Sequence, residues 1–324
     1  MTEGEAASDP SHPSHPSRPS RPSRLELAVL LGIVLLAAAL RLPGLDVRGP
    51  FDADQGQDML VLSGILRGDI PLLGPPTSIG TFHHGAVYYY ALAPAVLLLG
   101  PDPVAVTGWI ALWGVAAVAG TWWLGRLLGG PVAALVAGLL MAISPAEIDA
   151  STFIWNPNII PAAAAVAYAA AIHAWRSGSA RWWLLAAVGA MVTMQAHVLG
   201  LVVLPPLVVA WLADVRRSGR EGQAGRRRSV MAAGAGGFVI ILAGYVPLAV
   251  HELGANFSEL RAIGAYLGGD GRGAASGVLD RLVIVGMRSV VWPFAGLLSA
   301  DPVRSLGALL VVVACATIAL LQGS

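Results

Sequence analysis

The chain has 324 residues, of which 56% are hydrophobic and only 12% charged, and its mean hydropathy is +0.69. A soluble domain carries about 25% charged residues, so this composition excludes one and points to lipid as the solvent. Twenty arginines and no lysine against 19 acids leave a net charge of +1, which gives no basic footprint for a nucleic-acid partner. A single cysteine, Cys315, excludes an intrachain disulfide framework and a Cys/His metal cage.

From the N-terminus, residues 1–24 form a tail in which Ser11 to Arg24 repeats Ser-His/Arg-Pro, with proline at every third position and no apolar side chain. Such a segment buries too little surface to offset its ordering entropy and reads as disordered. With no small-residue cleavage site after the apolar run from Leu25, it does not read as a signal peptide. Apolar runs of membrane-spanning character follow at 25–41, 104–125, 131–146, 159–175, 182–196, 199–214, 230–250, 284–299 and 304–321, about nine in all. The run 180–214 is too long for one crossing, and His197 marks its break.

Arginine placement orients these spans. Arg18, Arg21 and Arg24 flank the first, and Arg216, Arg217, Arg220, Arg226, Arg227 and Arg228 crowd the loop 215–229, so both regions are expected on the cytoplasmic side. An even number of crossings must separate them, and six spans do. A further apolar stretch, 85–100, would make seven, and it is therefore read as a re-entrant or membrane-surface helix within the first external loop. Arg126, Arg176, Arg181 and Arg304 then fall on the cytoplasmic side as well.

The same topology gathers polar residues outside. The first external loop, about 42–103, carries Asp46, Asp52, Asp54, Asp58, His83 and His84, and the second, about 147–158, carries Glu147, Asp149, Trp155, Asn156 and Asn158. His197, His251 and Glu252 stand at outer ends of spans. Mid-membrane ionisable groups, where ion-coupled transporters bind their cargo, are scarce, which favours chemistry at the outer surface over transport. Asp52 reads as the N-cap of a helix on which Asp54 and Asp58, four residues apart, share a face. Acids there also complement the helix dipole, a purely structural role. Tyr88, Tyr89 and Tyr90 read as interfacial anchors, and Trp155-Asn-Pro-Asn as a turn before a helix with Pro161 in its first turn.

The order Arg41-Leu42, Asp54-Gln55, His83-His84-Gly-Ala-Val-Tyr-Tyr-Tyr90, Ser144-Pro145 and Trp155-Asn-Pro-Asn158 resembles the membrane glycosyltransferases of the GT-C fold, specifically the protein O-mannosyltransferase and aminoarabinose-transferase-like superfamily, over roughly 25–215. The resemblance implies an all-α, polytopic GT-C-type helix bundle with membrane-surface helices in the first external loop. Residues 25–214 would be the catalytic membrane module, 215–229 a basic cytoplasmic loop, and 230–324 C-terminal spans shortened relative to the family.

The implied activity is inverting transfer of a sugar from a polyprenyl-phosphate-linked donor to a lipid, glycan or protein acceptor, outside the cytoplasm at the plasma membrane. Asp54 matches the family's catalytic aspartate and is the expected base. Asp58, His83, His84, Asn156 and Tyr89 are the expected substrate and phosphate contacts. Three positions depart from the family pattern: Gln55 stands for a glutamate, His84 for a lysine, and Asn156 for an acid often found in the second loop. Phosphate contact is therefore expected from His83, His84 or an external arginine such as Arg261, Arg272 or Arg281. A divalent cation bridging Asp54 and phosphate is left open, and no other cofactor is implied. The alternatives are a non-catalytic or truncated member acting as a partner subunit, and a lipid-linked-sugar carrier.

Overall fold

A computed structural model describes residues 20–78 and 81–268, together with Gly307 and Leu310. The expected spans at 284–299 and, apart from Gly307 and Leu310, 304–321, with most of the N-terminal tail, Cys315, Arg272 and Arg281, lie outside the described residues. Those described are helical apart from turns and one isolated antiparallel bridge between Pro76 and His83.

The first helix, α1 (Arg24–Arg41), opens on a capping box. Ser23 Oγ accepts from Glu26 N at 3.1 Å, and the Glu26 carboxylate accepts from Ser23 N at 2.7 Å. Two short helices follow, α2 (Ala53–Ile65) and α3 (Val87–Leu99). The long α4 (Pro103–Ile143) is two helices in one, because Gly129 and Gly130 leave helical geometry and Gly130 takes φ +76°. Its limbs run back along each other: a Cβ on Gly125 would lie 2.8 Å from Ala133 O, and one on Gly138 would lie 3.3 Å from Trp122 Cβ. The expected break between 125 and 131 is thus a glycine-made hairpin.

The short α5 (Pro145–Ala150) leads to a 3-10 turn at Asn156–Ile159 and then to α6 (Ile160–Ser177) and α7 (Trp182–Ala196). A 3-10 turn (Val198–Val203) follows at the break that His197 marks, before α8 (Leu204–Arg220). Next come α9 (Ala224–Gly244), α10 (Val246–Gly254) and α11 (Ser258–Gly268). Among the described residues, four helical stretches are long and apolar enough to cross a bilayer: Pro103–Ile143, Asn156–Ser177, Val198–Arg220 and Ala224–Gly244. Close approach of α6 and α7 rests on small residues, since a Cβ on Gly189 would meet Ala163 O at 2.5 Å and Ala167 Cβ at 2.9 Å.

Polar side chains divide between the two ends of this bundle. At one end Arg126 pairs with Glu26 at 2.7 Å, Arg176 donates to Leu127 O, Arg217 to Trp175 O and Arg226 to Gly178 O. At the other, Arg41 is fully buried and donates to Met141 O (2.9 Å) and Ala142 O (2.7 Å), closing the carboxyl end of the second α4 limb where a cation complements the dipole. α3 begins beside Gln195, at Arg41's end, and α4, which follows it, begins at that same end. This is the end that carries Asp54, His84 and Asn156.

Candidate active site

Three segments build the site, each tied to its neighbours by hydrogen bonds that end on backbone carbonyls. Asp52 caps α2 as expected, and Gln55 completes a capping box by accepting from Asp52 N at 3.0 Å through Oε1. Its Nε2 donates to Ile154 O at 3.0 Å, which fastens α2 to the loop between α5 and α6. A hairpin-like loop carries the two histidines: Gly74 N donates to His84 O, His84 N to Pro75 O and Thr77 N to Phe82 O. Gly85 N then donates to Gln195 O at 2.9 Å, and Asn156 Nδ2 donates to Ala196 O at 2.6 Å. The end of α7 is therefore the anchor for both loops.

Between them lies a cavity of about 440 Å³ whose lining includes Asp54, Asp58, His84, Asn156, Trp155 and His197. A larger cavity of about 560 Å³, between α7, α8 and α9, is lined by apolar side chains and offers no carboxylate or histidine for chemistry. The smaller, polar one holds the reactive groups.

Within it the two aspartates differ. Asp54 is exposed, whereas Asp58 is 5% exposed and its two oxygens accept from Tyr88 Oη (2.9 Å) and Tyr89 Oη (2.7 Å). Burial pushes the Asp58 carboxyl up to about 6 against the pull of both phenols, and the nearby Asp54 charge adds to the rise. Tyr88 and Tyr89 are buried and do not line the cavity; they hold Asp58 rather than anchoring an interface.

His84 is buried, and its Nδ1 accepts from Val198 N at 3.3 Å. Burial holds its imidazole down at about 4, with His197 and His83 nearby adding to the effect. The ring is therefore neutral at physiological pH and carries its proton on Nε2. A cationic His84, one of the two forms open from the sequence, does not fit this environment.

His83 points elsewhere. Its backbone N and its Nδ1 both meet the buried Glu259 carboxylate, at 2.7 and 3.1 Å, and it lies outside the cavity lining. Glu259 is itself positioned by Glu252, which accepts from Glu259 N and Leu260 N at the start of α11. Arg261, on α11, does not line the cavity either. Among the described residues, no group of three His, Cys, Asp or Glu side chains is arranged to hold a metal ion.

Of the six residues selected from sequence, Asp54, Asp58, His84 and Asn156 converge on the cavity, Tyr89 supports one of them, and His83 pairs away from it. His197 lines the cavity without having been selected; its position at the outer end of a span was the signal. Its ring stacks on His84 with centroids 4.7 Å apart.

Residues 83–243 match the family model described as dolichyl-phosphate-mannose-protein mannosyltransferase. That segment belongs to this family of membrane glycosyltransferases. The resemblance read from the sequence agrees with it, and the long apolar helices fit a multi-pass membrane protein. The dolichyl-phosphate-mannose-protein mannosyltransferase match takes in His84, Tyr89, Asn156 and His197, while Asp54 and Asp58 precede it. No curated protein and no solved structure gives a match.

Proposed function

We propose that the chain transfers a sugar from a polyprenyl-phosphate-linked donor to an acceptor hydroxyl at the extracytoplasmic membrane surface, with inversion at the sugar's anomeric carbon. The observation that carries this reading is the shared cavity: an exposed carboxylate, Asp54, lines the same 440 Å³ space as His84 and Asn156, which lie within the mannosyltransferase-matched segment.

In this reading Asp54 accepts the proton of the acceptor hydroxyl as that oxygen attacks the anomeric carbon. The bond from that carbon to the phosphate oxygen breaks, and polyprenyl phosphate leaves with the electron pair. A phosphate is a good leaving group, so no general acid is needed. The Nε2–H of His84 is a neutral hydrogen-bond donor for its oxygens. Asp58 serves α2 and the tyrosines rather than the reaction: both of its oxygens are occupied by Tyr88 and Tyr89.

Gln55 fits the same scheme. A glutamate, which the family pattern has here, could accept from Asp52 N but could not donate to Ile154 O. The departure thus preserves the scaffold around Asp54.

The test is sugar transfer in membranes supplied with a polyprenyl-phosphate-sugar pool, comparing wild type with Asp54→Asn at equal expression. Donor consumption and a new glycoconjugate in wild type, lost in the variant, supports the transferase and its base. Equal turnover in both removes Asp54 from the mechanism. A folded wild type that transfers none of the sugars offered favours a non-catalytic partner subunit.

A further inference from the structure

We propose that His197 is a second phosphate-binding residue, and that its imidazole and that of His84 form a matched pair of neutral N–H donors for the donor lipid's phosphate. The inference rests on the donor class proposed above and extends it to a residue outside the sequence-derived site.

The argument begins with two adjacent backbone amides. Val198 N donates to His84 Nδ1 at 3.3 Å, and Leu199 N donates to His197 Nδ1 at 3.1 Å. Both amides belong to the first residues of the 3-10 turn Val198–Val203, whose leading N–H groups have no partner within the turn itself. An imidazole nitrogen that accepts from an amide carries no proton. The neutral ring then has its single proton on the other nitrogen, Nε2. One turn therefore fixes the same tautomer in two rings that come from distant parts of the chain.

The rings are also fixed in orientation. Their centroids are 4.7 Å apart with planes inclined at 34°, and both residues line the cavity that Asp54 lines. Burial lowers the proton affinity of His197 as it does that of His84, so two cations are not forced together in this stack.

The local backbone demands this arrangement. A Cβ on Gly200 would be driven into Thr193 O and lie 2.9 Å from Met194 Cα, so the turn is pressed against the end of α7. A Cβ on Gly85 would fall within the Gln195 side-chain amide, so the His84 loop is pressed there too. Two rigid supports thus hold both Nε2-protonated rings at the lining of one cavity. The diester phosphate of the donor and the monoester phosphate that leaves from it both present at least two unbridged, negatively charged oxygens, and a pair of neutral donors matches that demand with no proton transfer and no cation to desolvate.

Two substitutions separate the donor from the scaffold. Asn carries Oδ1 where His carries Nδ1, so His197→Asn keeps the cap on Leu199 N but removes the distal donor. Gln reaches farther and places an N–H near the Nε2 position, so His197→Gln restores a donor. The experiment is equilibrium binding of undecaprenyl phosphate to the purified chain in lipid nanodiscs, for wild type, His197→Asn and His197→Gln. The expected result is binding by wild type, a loss of about tenfold to a hundredfold for His197→Asn, and recovery of most of it by His197→Gln.

Binding by His197→Asn equal to wild type overturns the inference and leaves the donor class standing. Absence of binding by wild type overturns the donor class itself and the inference with it. Should His197→Asn fail to fold, nitrogen NMR of the wild-type chain with ¹⁵N-labelled histidine decides the matter. Two Nε2-protonated rings must shift on addition of undecaprenyl phosphate, and a shift of only one overturns the pairing.

Discussion

Asp54 and Asp58 stand one helical turn apart on α2, yet Asp54 is open to the cavity while Asp58 is enclosed and hydrogen-bonded by two consecutive tyrosines. Spacing of four residues gives a shared face, but the packing of α3 on α2 divides that face into a reactive half and a structural half. The division has consequences that can be measured.

The Asp58 carboxyl sits at about 6, above its ordinary 3.8. Between these values the folded state keeps a proton that the unfolded chain has released, so the stability Asp58 contributes is full below about pH 4 and is lost as pH rises through 6. Asp58→Asn has no proton to lose and keeps an acceptor and donors for the tyrosines. Its stability relative to wild type should therefore rise by about 1–3 kcal/mol across that window and level off above about pH 7. His84 works in the opposite direction, because its depressed value makes the folded state lose stability as pH falls from about 6.5 toward 4. The measurement is the difference in thermal unfolding midpoint between variant and wild type, followed with pH. A flat difference contradicts the assignment.

Removing one phenol should worsen the burial of Asp58. Tyr89→Phe leaves the carboxylate with Tyr88 alone and should lower stability above pH 7 by about 1–3 kcal/mol. The loss should shrink at pH 5, where Asp58 is protonated. A loss independent of pH would mean that the ring's packing matters and its hydroxyl does not.

Gln55 offers a scaffold test that bypasses the chemistry. Gln55→Glu keeps the acceptor for Asp52 N but sets a carboxylate against Ile154 O, where an N–H now donates at 3.0 Å. It should lower the unfolding midpoint and reduce transfer, with Gln55→Ala less damaging to stability than Gln55→Glu above neutral pH. Equal stability of Gln55→Glu and wild type would show that the Ile154 contact is dispensable.

Much of the bundle was legible because its signals are periodic and cumulative. Apolar runs marked the helices, the gap between the runs 104–125 and 131–146 marked the turn between the α4 limbs, and arginine counting gathered Asp54, His84 and Asn156 at one end. What was illegible depends on pairings distant in sequence. Nothing in Tyr88-Tyr89 says that their hydroxyls reach Asp58, thirty residues earlier, and amphipathic tyrosines read equally well as interfacial anchors. His83 and His84 are neighbours in the chain, but one turns to Glu259 and the other to the α7–α8 turn. A histidine at a helix end, such as His197, carries no mark of the ring it will stack on.

Gly85 should be intolerant of any side chain. A Cβ there collides with the Gln195 amide and lies 3.0 Å from Gln195 Cα, while Gly85 N must still reach Gln195 O. Gly85→Ala should displace the loop that carries His84 and abolish transfer more completely than it lowers stability. Pairing it with Gln195→Ala removes the side-chain clash but not the backbone one, so rescue should be partial. Full rescue would place the constraint in the Gln195 side chain alone.

At the far end of the bundle, Asp214 is fully buried and accepts from Trp183 Nε1 (3.0 Å), Arg226 (2.7 Å) and Arg217 (3.3 Å), joining α7, α8 and α9. Removing the anion leaves two largely buried guanidinium groups without their common partner, which costs about 3–5 kcal/mol where a buried pair is broken. Asp214→Ala should therefore lower the unfolding midpoint more than any substitution in the cavity. Its effect on catalysis should be of another kind: folded protein at low temperature should keep the wild-type KM for the donor, because no residue of this cluster lines the Asp54 cavity. A raised KM with an unchanged midpoint would reverse both expectations and couple the arginine end to the site. Among the described residues, the two ends are joined by helices that approach closely at small residues such as Gly189 and Gly237. The expectation is accordingly that damage at Asp214 is read out as unfolding rather than as a displaced cavity.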